Sequence, residues 1–331
     1  MRTTLIGRLL AALVACAAGP ALGETVLRLS EPAGPGGPEA AALAVFRDEV
    51  AARSAGRLRI EVRLQDELGG LAAPVDGLAA GPIDLYTGPL ATFRHLAPAE
   101  LAPLSLPWLL QDEAQLRRFL AGPVFQRAER RLREHGIRLV STAFTGLHAP
   151  VRVIVATRRL TAADDLSGLR VRVAADDLAQ RSWRAVGAAP MALPWSETYL
   201  ALRRRAAEAA ELPLGELRAA RFAAVAPFVA TAGLAPRLWP MVIGERRWAA
   251  LPAADRAVLV AAADAAGRIY SRVAEDAARH ELAAMTSRAT SGPVRLDTTV
   301  LRRRLDPLWH DLVTRGALAP EMMEIMAAQA P

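Results

Sequence analysis

The feature that most constrains the fold is a long helical pattern near the carboxyl end, from Pro252 to Arg288, in which Gly267 is the only glycine. Apolar residues recur along it at helical spacing, at Leu251, Val258, Leu259, Ala262, Ala266, Ile269, Tyr270, Val273, Ala277 and Leu282. At about 1.5 Å per residue this helix would be roughly 50 Å long, which is longer than one small domain is wide. A coiled coil is the alternative, but the apolar stripe drifts and the charge pattern beside it is poor.

Strand and helix patterns alternate through the first part of the chain. Thr25 to Ser30 and Arg57 to Leu64 read as strands, and Pro38 to Ala52 has the spacing of a helix between them. Ile83 to Tyr86 reads as the next short strand. Strands that alternate with helices predict a mostly parallel sheet covered by helices, so we expect an α/β protein.

Residues 1–23 have the pattern of a secretory signal peptide. A basic start and an apolar run from Leu9 to Ala18 are followed by small residues, which predicts cleavage after Gly23 and export to the periplasm. Leu13 to Cys16 also resembles a lipobox, so lipid anchoring at Cys16 is the alternative. Cys16 is the single cysteine of the chain. Cleavage after Gly23 would therefore leave no disulfide and no thiol chemistry.

The composition argues against a nucleic-acid-binding protein. The chain has 331 residues and a formal net charge of +7, and basic patches can attract phosphate backbones. However, it contains no lysine and no asparagine, and its arginines are scattered, which indicates a GC-rich coding bias. About 308 residues would remain after export, enough for two domains of ordinary size.

Asp164 to Pro213 is the segment with the clearest functional pattern. Alternation over residues 169–173 places Leu169, Val171 and Val173 on one face of a short strand and two arginines, Arg170 and Arg172, on the other. An arginine near the end of a strand presents a rigid guanidinium fork, which suits two-pronged binding of a carboxylate. From this pattern Arg172 is a candidate for binding an acid, and a solvated surface charge is its alternative role.

This segment resembles the solute-binding proteins of the tripartite ATP-independent periplasmic (TRAP) transporters, of the C4-dicarboxylate-binding DctP type. The family has a strand D-L-x-G-L-K-I-R-V, then G-A-x-P, P-x-x-E-x-Y-x-A-L and a D-G-x-E-N-P turn. The matching residues are Asp165 to Val173, Gly187 to Pro190, Pro194 to Leu202 and Glu208 to Pro213. In the last motif Glu208, Ala209 and Leu212 stand where the family has Asp, Gly and Asn. Leu106-Pro107-Trp108-Leu109 is similar to the family's L-P-F-L turn.

The resemblance implies a two-domain periplasmic solute-binding fold of α/β class, with a central ligand cleft and one long helix spanning both domains. By analogy, residues 24–149 and 238–277 form the first domain, and residues 150–237 and 278–331 form the second. The implied partners are a small organic acid and the TRAP membrane permease, and we expect a monomer. The alternative is a ligand-sensing binding protein that serves a receptor.

The resemblance also assigns roles to individual residues. Arg172 matches the strand arginine that forms the salt bridge to the substrate carboxylate. Arg152 lies at the spacing of a second acid-binding arginine in the sialic-acid-binding branch, and a surface or interdomain salt bridge is its alternative role. His148 could donate a hydrogen bond at the hinge or be an ordinary structural histidine. Trp195 falls where the family has an aromatic ring, so it either covers the solute or packs in the core.

Three positions replace residues that can be polar in relatives. Leu212 stands where the family often has an asparagine that donates to the ligand, and Ala175 and Pro89 replace positions that can be polar in sialic-acid binders. Together they predict a pocket with a carboxylate anchor and an otherwise less polar lining. We therefore expect a monocarboxylate with an apolar or aromatic body.

Catalytic and metal motifs are missing from the sequence. There is no G-x-S-x-G elbow, no phosphate-binding glycine loop with lysine and no H-E-x-x-H motif. The five histidines lack metal-ligand spacing. We expect no cofactor, no metal and no catalytic residue, and a secreted enzyme is the least favoured alternative.

Overall fold

A computed structural model describes residues 24–31, 37–64, 74–110, 112–148, 152–214, 217, 221–232, 237–288 and 293–327. Within these residues, strands and helices alternate and form two separate larger sheets with helices packed against them. The α/β class predicted from the sequence is therefore confirmed.

The strands are short and most are buried. In chain order they are β1 (Thr25–Glu31), β2 (Leu58–Leu64), β3 (Leu85–Thr87), β4 (Ile137–Leu139), β5 (Leu147–His148), β6 (Arg152–Ala156), β7 (Arg170–Val173), β8 (Ala189–Ala192), β9 (Ala209–Pro213), β10 (Phe228–Thr231), β11 (Arg237–Leu238), β12 (Met241–Gly244) and β13 (Val294–Arg295).

The helices differ widely in length. In chain order they are α1 (Gly37–Arg53), α2 (Pro74–Ala80), α3 (Pro98–Leu101), α4 (Glu113–Ala121), α5 (Pro123–Glu134), α6 (Asp177–Ala185), α7 (Thr198–Arg203), α8 (Glu245–Ala250), α9 (Ala253–Arg288), α10 (Thr298–Thr314) and α11 (Glu321–Ala327). None of the helices in these described ranges combines the length and the apolar character that crossing a membrane requires.

The first sheet has five strands in the order β2-β1-β3-β12-β4. β1 is parallel to both β2 and β3, as the alternating pattern predicts, and α1 connects β1 to β2. β12, which the chain reaches after strands of the other sheet, is antiparallel to β3 and β4. We call this part of the molecule the five-stranded half.

The second sheet has six strands in the order β13-β10-β6-β9-β7-β8. β7 is parallel to β8 and β9, whereas β6 is antiparallel to β9 and β10. The carboxyl ends of β7, β8 and β9 consequently lie at one edge of the sheet. We call this part of the molecule the six-stranded half.

In its strands and α9, the described chain passes between the two sheets three times. It crosses between β4 and β6, returns between β10 and β12, and crosses again along α9. The first two connections pair with each other through β5 and β11. α9 begins one residue after the predicted start and ends at the predicted Arg288. The division of the chain at residues 149, 237 and 277 stays a prediction.

The long helix α9 packs on both halves. Leu259, Ala262, Ala266 and Tyr270 belong to the core of the five-stranded half, where α9 also lies along α1. Ala278 belongs to a core cluster of the six-stranded half. This confirms the long helix that spans both halves. The apolar stripe drifts along the helix because its first part packs on one core and its later part on another.

Gly267 is the point at which α9 approaches the crossing segments most closely. A side chain at this position would contact the Thr145 hydroxyl and come within 2.6 Å of the Gly146 nitrogen. The Ser271 hydroxyl, one turn later, lies 2.8 and 2.7 Å from the carbonyl oxygens of Thr145 and Leu147 and can donate its one hydrogen to either. Gly267 is therefore needed because α9 packs directly against the segment that contains Thr145 and Gly146.

Candidate ligand-binding site

Arg172 lies near the carboxyl end of β7. Its Cα is paired with Met191 of β8 and with Ala210 of β9, both of which run parallel to β7. Ligands of open α/β sheets bind outside the carboxyl ends of such strands. Only 7% of Arg172 is exposed, so its guanidinium has lost most of its water and suits a charge-assisted hydrogen bond to an anion.

Two contacts fix the orientation of the Arg172 guanidinium. Its Nε–H donates to the carbonyl oxygen of Leu193 at 3.0 Å, and its Cζ is 5.4 Å from the centroid of the Trp195 ring. A cation above an aromatic face is attracted by the negative charge of that face. Because Nε is bound to the backbone, two-pronged binding of a carboxylate at this place would use the Nη groups.

Trp195 begins a small aromatic cluster beside Arg172. Its ring meets Phe222 edge to face at 5.4 Å between centroids, and Tyr199 is stacked on Phe222 at 6.5 Å. Phe222 is buried, whereas 42% of Trp195 is exposed. A large apolar ring that stays open to solvent next to a buried cation is available to cover a ligand. The choice between solute contact and core packing for Trp195 stays a prediction.

Arg152 forms an ion pair with Glu211. Its Nε–H donates to Glu211 Oε1 at 2.5 Å, and the Trp183 indole N–H donates to the other carboxylate oxygen at 3.2 Å. The register places Arg152 opposite Pro213 and Ile154 opposite Glu211, so Arg152 and Glu211 share one face of the sheet. The Arg172 side chain leaves the sheet on the opposite face, because Arg172 pairs with Ala210, the residue next to Glu211 in β9.

Glu211, the partner of Arg152, is not among the site residues predicted from the sequence. It belongs to the Glu-Leu-Pro end of the family-like turn, which was the available signal. Its partner is 59 residues away in the chain, so only the pairing of β6 with β9 shows that Glu211 neutralises Arg152.

Arg170 and Leu212 differ from their neighbours in exposure. Arg170 is exposed, and its side chain donates to the carbonyl oxygens of Arg205 and Ala206 at 3.1 Å each. It therefore lies nearer the surface than Arg172. Leu212 has 0% exposure and packs in the apolar cluster that also contains Val153. Its predicted part in the ligand pocket stays a prediction.

The remaining predicted residues lie in three connections. Ala175 is exposed in the turn between β7 and α6, and Pro89 is exposed just before a 3-10 turn at Leu90–Leu96. The backbone of His148 lies in β5, opposite Arg237, where the two crossing segments pair. The structure brings the Arg172 guanidinium and the Trp195 ring together, and the parts of Ala175, Pro89 and His148 in ligand binding stay predictions.

An ion pair connects the 3-10 turn after Pro89 with the start of α6. Arg94 Nη2 lies 2.5 Å from Asp177 Oδ1 and 3.3 Å from Asp176 Oδ2. Asp176 also caps α6, because its side chain accepts from the backbone N–H of Ala179. Arg94 follows β3 of the five-stranded half and α6 follows β7 of the six-stranded half, so this contact joins the two halves near the strand that carries Arg172.

Burial by itself would raise the pKa of the Asp177 carboxyl. The hydrogen bond from Arg94 and the charge of its guanidinium outweigh that effect and lower the pKa. The carboxylate form of Asp177 is therefore favoured by the contact between the two halves.

No cluster of histidine, cysteine and acidic side chains suited to a metal ion occurs among the described residues. What the described part of the chain offers instead is a nearly buried arginine at a strand edge, an exposed aromatic ring beside it, and two α/β halves joined by a long helix. This combination defines a two-domain solute-binding protein.

The chain belongs to the DctP family, the bacterial extracellular solute-binding proteins of family 7, whose pattern it matches over residues 29–315. It is similar to an uncharacterized protein y4mM of Sinorhizobium fredii, with 29% identity over 265 residues, which are 80% of this chain and 48% of that protein. The chain therefore spans about half the length of that relative. It is also similar to the 2,3-diketo-L-gulonate-binding periplasmic protein YiaO of Escherichia coli, with 26% identity over 70% of each chain.

Solved structures show the same fold. A TRAP periplasmic solute-binding protein of Escherichia fergusonii, in an apo open form, has a TM-score of 0.80 at 19% identity and covers 91% of this chain and 99% of its own. A TRAP periplasmic solute-binding protein of Shewanella oneidensis with bound succinate has a TM-score of 0.77 at 20% identity, covering 92% and 99%. The two-domain solute-binding fold predicted from the sequence is thus confirmed.

Proposed function

We propose that this protein is the extracytoplasmic binding component of a TRAP transporter and that it captures a small organic acid in the cleft between its two halves. The observation that carries the proposal is the nearly buried Arg172 at the carboxyl edge of β7, with the Trp195 ring beside it. Relatives that bind 2,3-diketo-L-gulonate and succinate support an acid as the class of ligand.

The ligand we propose is a monocarboxylate with an apolar or aromatic body. Arg152 is neutralised by Glu211, so a second carboxylate would have to compete with a formed ion pair. Breaking such a partly buried pair leaves one charge without compensation, which is costly. The cluster of Trp195, Phe222 and Tyr199 offers an apolar wall beside the anchor, which favours an acid that carries little further polarity.

Transport would follow from closure of the two halves over the bound acid. The Arg172–carboxylate pair would be shielded from water as the cleft closes, which strengthens it. A membrane permease that binds the closed form more tightly than the open form would then receive the liganded protein. We place the protein in the periplasm after cleavage at Gly23, with a lipid anchor at Cys16 as the alternative.

A thermal-shift screen against organic acids, sugars and amino acids tests this proposal. A ligand at about 100 times its dissociation constant stabilises the folded protein by roughly 2.7 kcal/mol, a shift of several degrees. We expect hits among monocarboxylates and recovery of the bound acid unchanged, which separates binding from turnover.

Two variants of the same strand make the test specific. Arg172→Ala should remove the shift caused by the acid, whereas the exposed Arg170→Ala should keep it. Shifts that survive in Arg172→Ala, or hits that occur only with neutral compounds, would contradict the role of Arg172. A preference for dicarboxylates that depends on Arg152 would contradict the monocarboxylate.

A further inference from the structure

A cavity of about 380 Å³ lies on the five-stranded half, between α5, β4, α8 and α9. It contains none of the residues of the candidate ligand-binding site. Its chemically distinctive lining residues are Glu129, Arg133, Arg138, Ser141, Trp248 and Asp264. This size is at the small end of ligand cavities in proteins, so it suits a metabolite rather than a large molecule.

Glu129 and Arg133 are separated by one turn of α5 and do not form a salt bridge. An acid four residues before an arginine has the favoured orientation for such a pair on a helix. Elsewhere in this protein the same spacing does close, with nitrogen–oxygen distances of 2.7 Å for Glu113–Arg117 and 2.6 Å for Asp311–Arg315. Within the part of the chain that the structure describes, neither the Glu129 side chain nor the Arg133 side chain has an ion-pair or hydrogen-bond partner.

The other charged groups of the cavity are already bound. Arg138 donates two hydrogen bonds of 2.7 Å to the two carboxylate oxygens of Glu245, which lower the pKa of the Glu245 carboxyl. Asp264 accepts a hydrogen bond of 2.5 Å from the Ser141 hydroxyl, which orients this carboxylate but does not neutralise its charge. Glu129 and Arg133 are therefore the two oppositely charged lining side chains that are left for a ligand, with Asp264 as a further negative charge of the cavity.

The cavity also has an apolar side. Its apolar lining comes from Leu139, Val140, Val260 and the Trp248 ring, over which the Arg138 and Arg256 guanidinium groups lie at 5.7 and 5.9 Å from the centroid. Burial raises the pKa of the Glu129 carboxyl, although the nearby Arg133 and Arg138 oppose the shift. A cation bound beside Glu129 would compensate for this loss of water.

We propose that this cavity is a second ligand site and that it binds a small zwitterion, an α-amino acid with an apolar side chain. Its ammonium group would bind Glu129 and its carboxylate would bind Arg133. The ammonium and carboxylate groups of an α-amino acid lie close together. Glu129 and Arg133, one helical turn apart, are neighbours on the surface of α5 and can therefore each bind one of these groups. The apolar side chain would lie against Trp248 and Val260. This site is independent of the acid-binding function proposed for Arg172.

Isothermal titration with L-leucine tests the proposal on the full protein. Two probes that each lack one charge, 4-methylpentanoate and 3-methylbutylamine, should bind at least about tenfold more weakly, because each leaves one of the two side chains unpaired. Glu129→Gln and Arg133→Gln should each weaken L-leucine binding by roughly 10- to 100-fold. The thermal midpoint of each variant shows whether it is folded.

Matched controls lie on the same helix and in the cleft. Arg130→Gln and Glu134→Gln change exposed charges of α5 that do not line the cavity, and both should bind L-leucine as the wild type does. Arg172→Ala should also leave L-leucine binding unchanged. The proposal is overturned if the wild type gives no binding heat with L-leucine, if Arg172→Ala removes the binding, or if folded Glu129→Gln binds as well as the wild type.

Discussion

Trp195 combines two properties that a core residue does not have together. Its ring is 42% exposed, and its face lies 5.4 Å from the Arg172 guanidinium. The buried Phe222 supports the ring from the other side at 5.4 Å. An exposed ring held in place at a buried cation is positioned to add apolar contact area to whatever that cation binds.

Replacing Trp195 by alanine should therefore weaken binding more than it weakens the fold. We expect roughly tenfold or greater loss of affinity for an acid with an apolar body, because the covering ring and its contact with Arg172 are lost. Trp195→Phe should keep part of the affinity. Titration calorimetry with the best acid of the screen measures both. Equal affinities of the wild type and Trp195→Ala would assign the ring to packing alone.

Leu212→Asn should destabilise the protein without improving its binding of polyhydroxylated acids. The side chain is fully buried among apolar neighbours. An amide at this position should therefore lower the free energy of unfolding by about 3 kcal/mol or more, because packing is lost and a polar group is buried. Urea denaturation measures the loss. A stable Leu212→Asn variant with greatly increased affinity for sugar acids would show instead that this position faces the ligand and would count against the monocarboxylate.

The position of a side chain could be predicted from the sequence where it depends only on neighbouring residues in the chain. Alternation along one strand placed Arg170 and Arg172 on one face, and the structure distinguishes them by exposure. The pairing of Arg152 with Glu211 depends on two strands that are far apart in the chain, and no local pattern contains that register. The burial of Leu212 likewise depends on the cluster packed against its sheet.

At the scale of single elements, Asp165 organises the turn that leads into β7. Its Oδ2 accepts hydrogen bonds from the backbone N–H groups of Thr161 and Ala162 at 2.6 and 3.0 Å, and from the Thr161 hydroxyl at 2.9 Å. The two backbone hydrogen bonds, followed by the hydroxyl, lower the pKa of the Asp165 carboxyl. The turn thus depends on the ionised form of one side chain.

Asp165→Asn should destabilise the protein at neutral pH but not in strong acid. A carboxyl whose pKa is lowered by folding adds stability above its unfolded value, about 3.9, and loses it as the pH falls through the lower folded value. The stability difference between wild type and variant should therefore shrink below roughly pH 4. Urea denaturation across this range measures it, with Glu134→Gln, which changes an exposed carboxyl of α5, as the control. A difference that is independent of pH would contradict this role.

Gly267→Ala tests the close approach of α9 to the crossing segments. Alanine favours an exposed helix by about 1 kcal/mol over glycine. Here the added methyl group would overlap the Thr145 hydroxyl and the Gly146 nitrogen, so we expect net destabilisation of roughly 1–3 kcal/mol. Thermal denaturation gives the sign directly, and a variant that is more stable than the wild type would refute the packing argument.

Elements of regular spacing were the most predictable part of the fold. The long helix was expected over 252–288 and occupies Ala253–Arg288, because its apolar spacing runs without a break. The sequence offered no comparable signal for the order of strands in the two sheets. That order depends on where the chain crosses between halves, and the insertion of β12 between β3 and β4 comes from a distant part of the chain.

At the scale of the whole molecule, Arg94 is a contact between the two halves. It binds Asp176 and Asp177 at the start of α6, which follows the strand that carries Arg172. A conformational change that separates the halves at this place must break that ion pair. The contact therefore favours the arrangement seen here over a more open one.

Arg94→Ala should shift the ligand-free protein toward a more open form. Because the ion pair is partly exposed, we expect a modest effect, less than about tenfold on acid affinity. Small-angle X-ray scattering without ligand should give a larger radius of gyration than for the wild type. Arg117→Ala, which removes an ion pair within one helix, is the control. Identical scattering of the Arg94→Ala variant and the wild type would show that this pair does not influence closure.

The three passages of the chain between the halves have a consequence for how such a protein can be inherited. Neither half is encoded by one continuous stretch of its gene, because β12 and β13 each return to a sheet begun much earlier. A single crossover cannot exchange the whole half that carries Arg172, because β13 and the end of α9 are encoded apart from β6 to β10. An exchanged segment from β6 to β10 would have to pack on the resident α9 and β13, which favours new specificity by substitutions around Arg172.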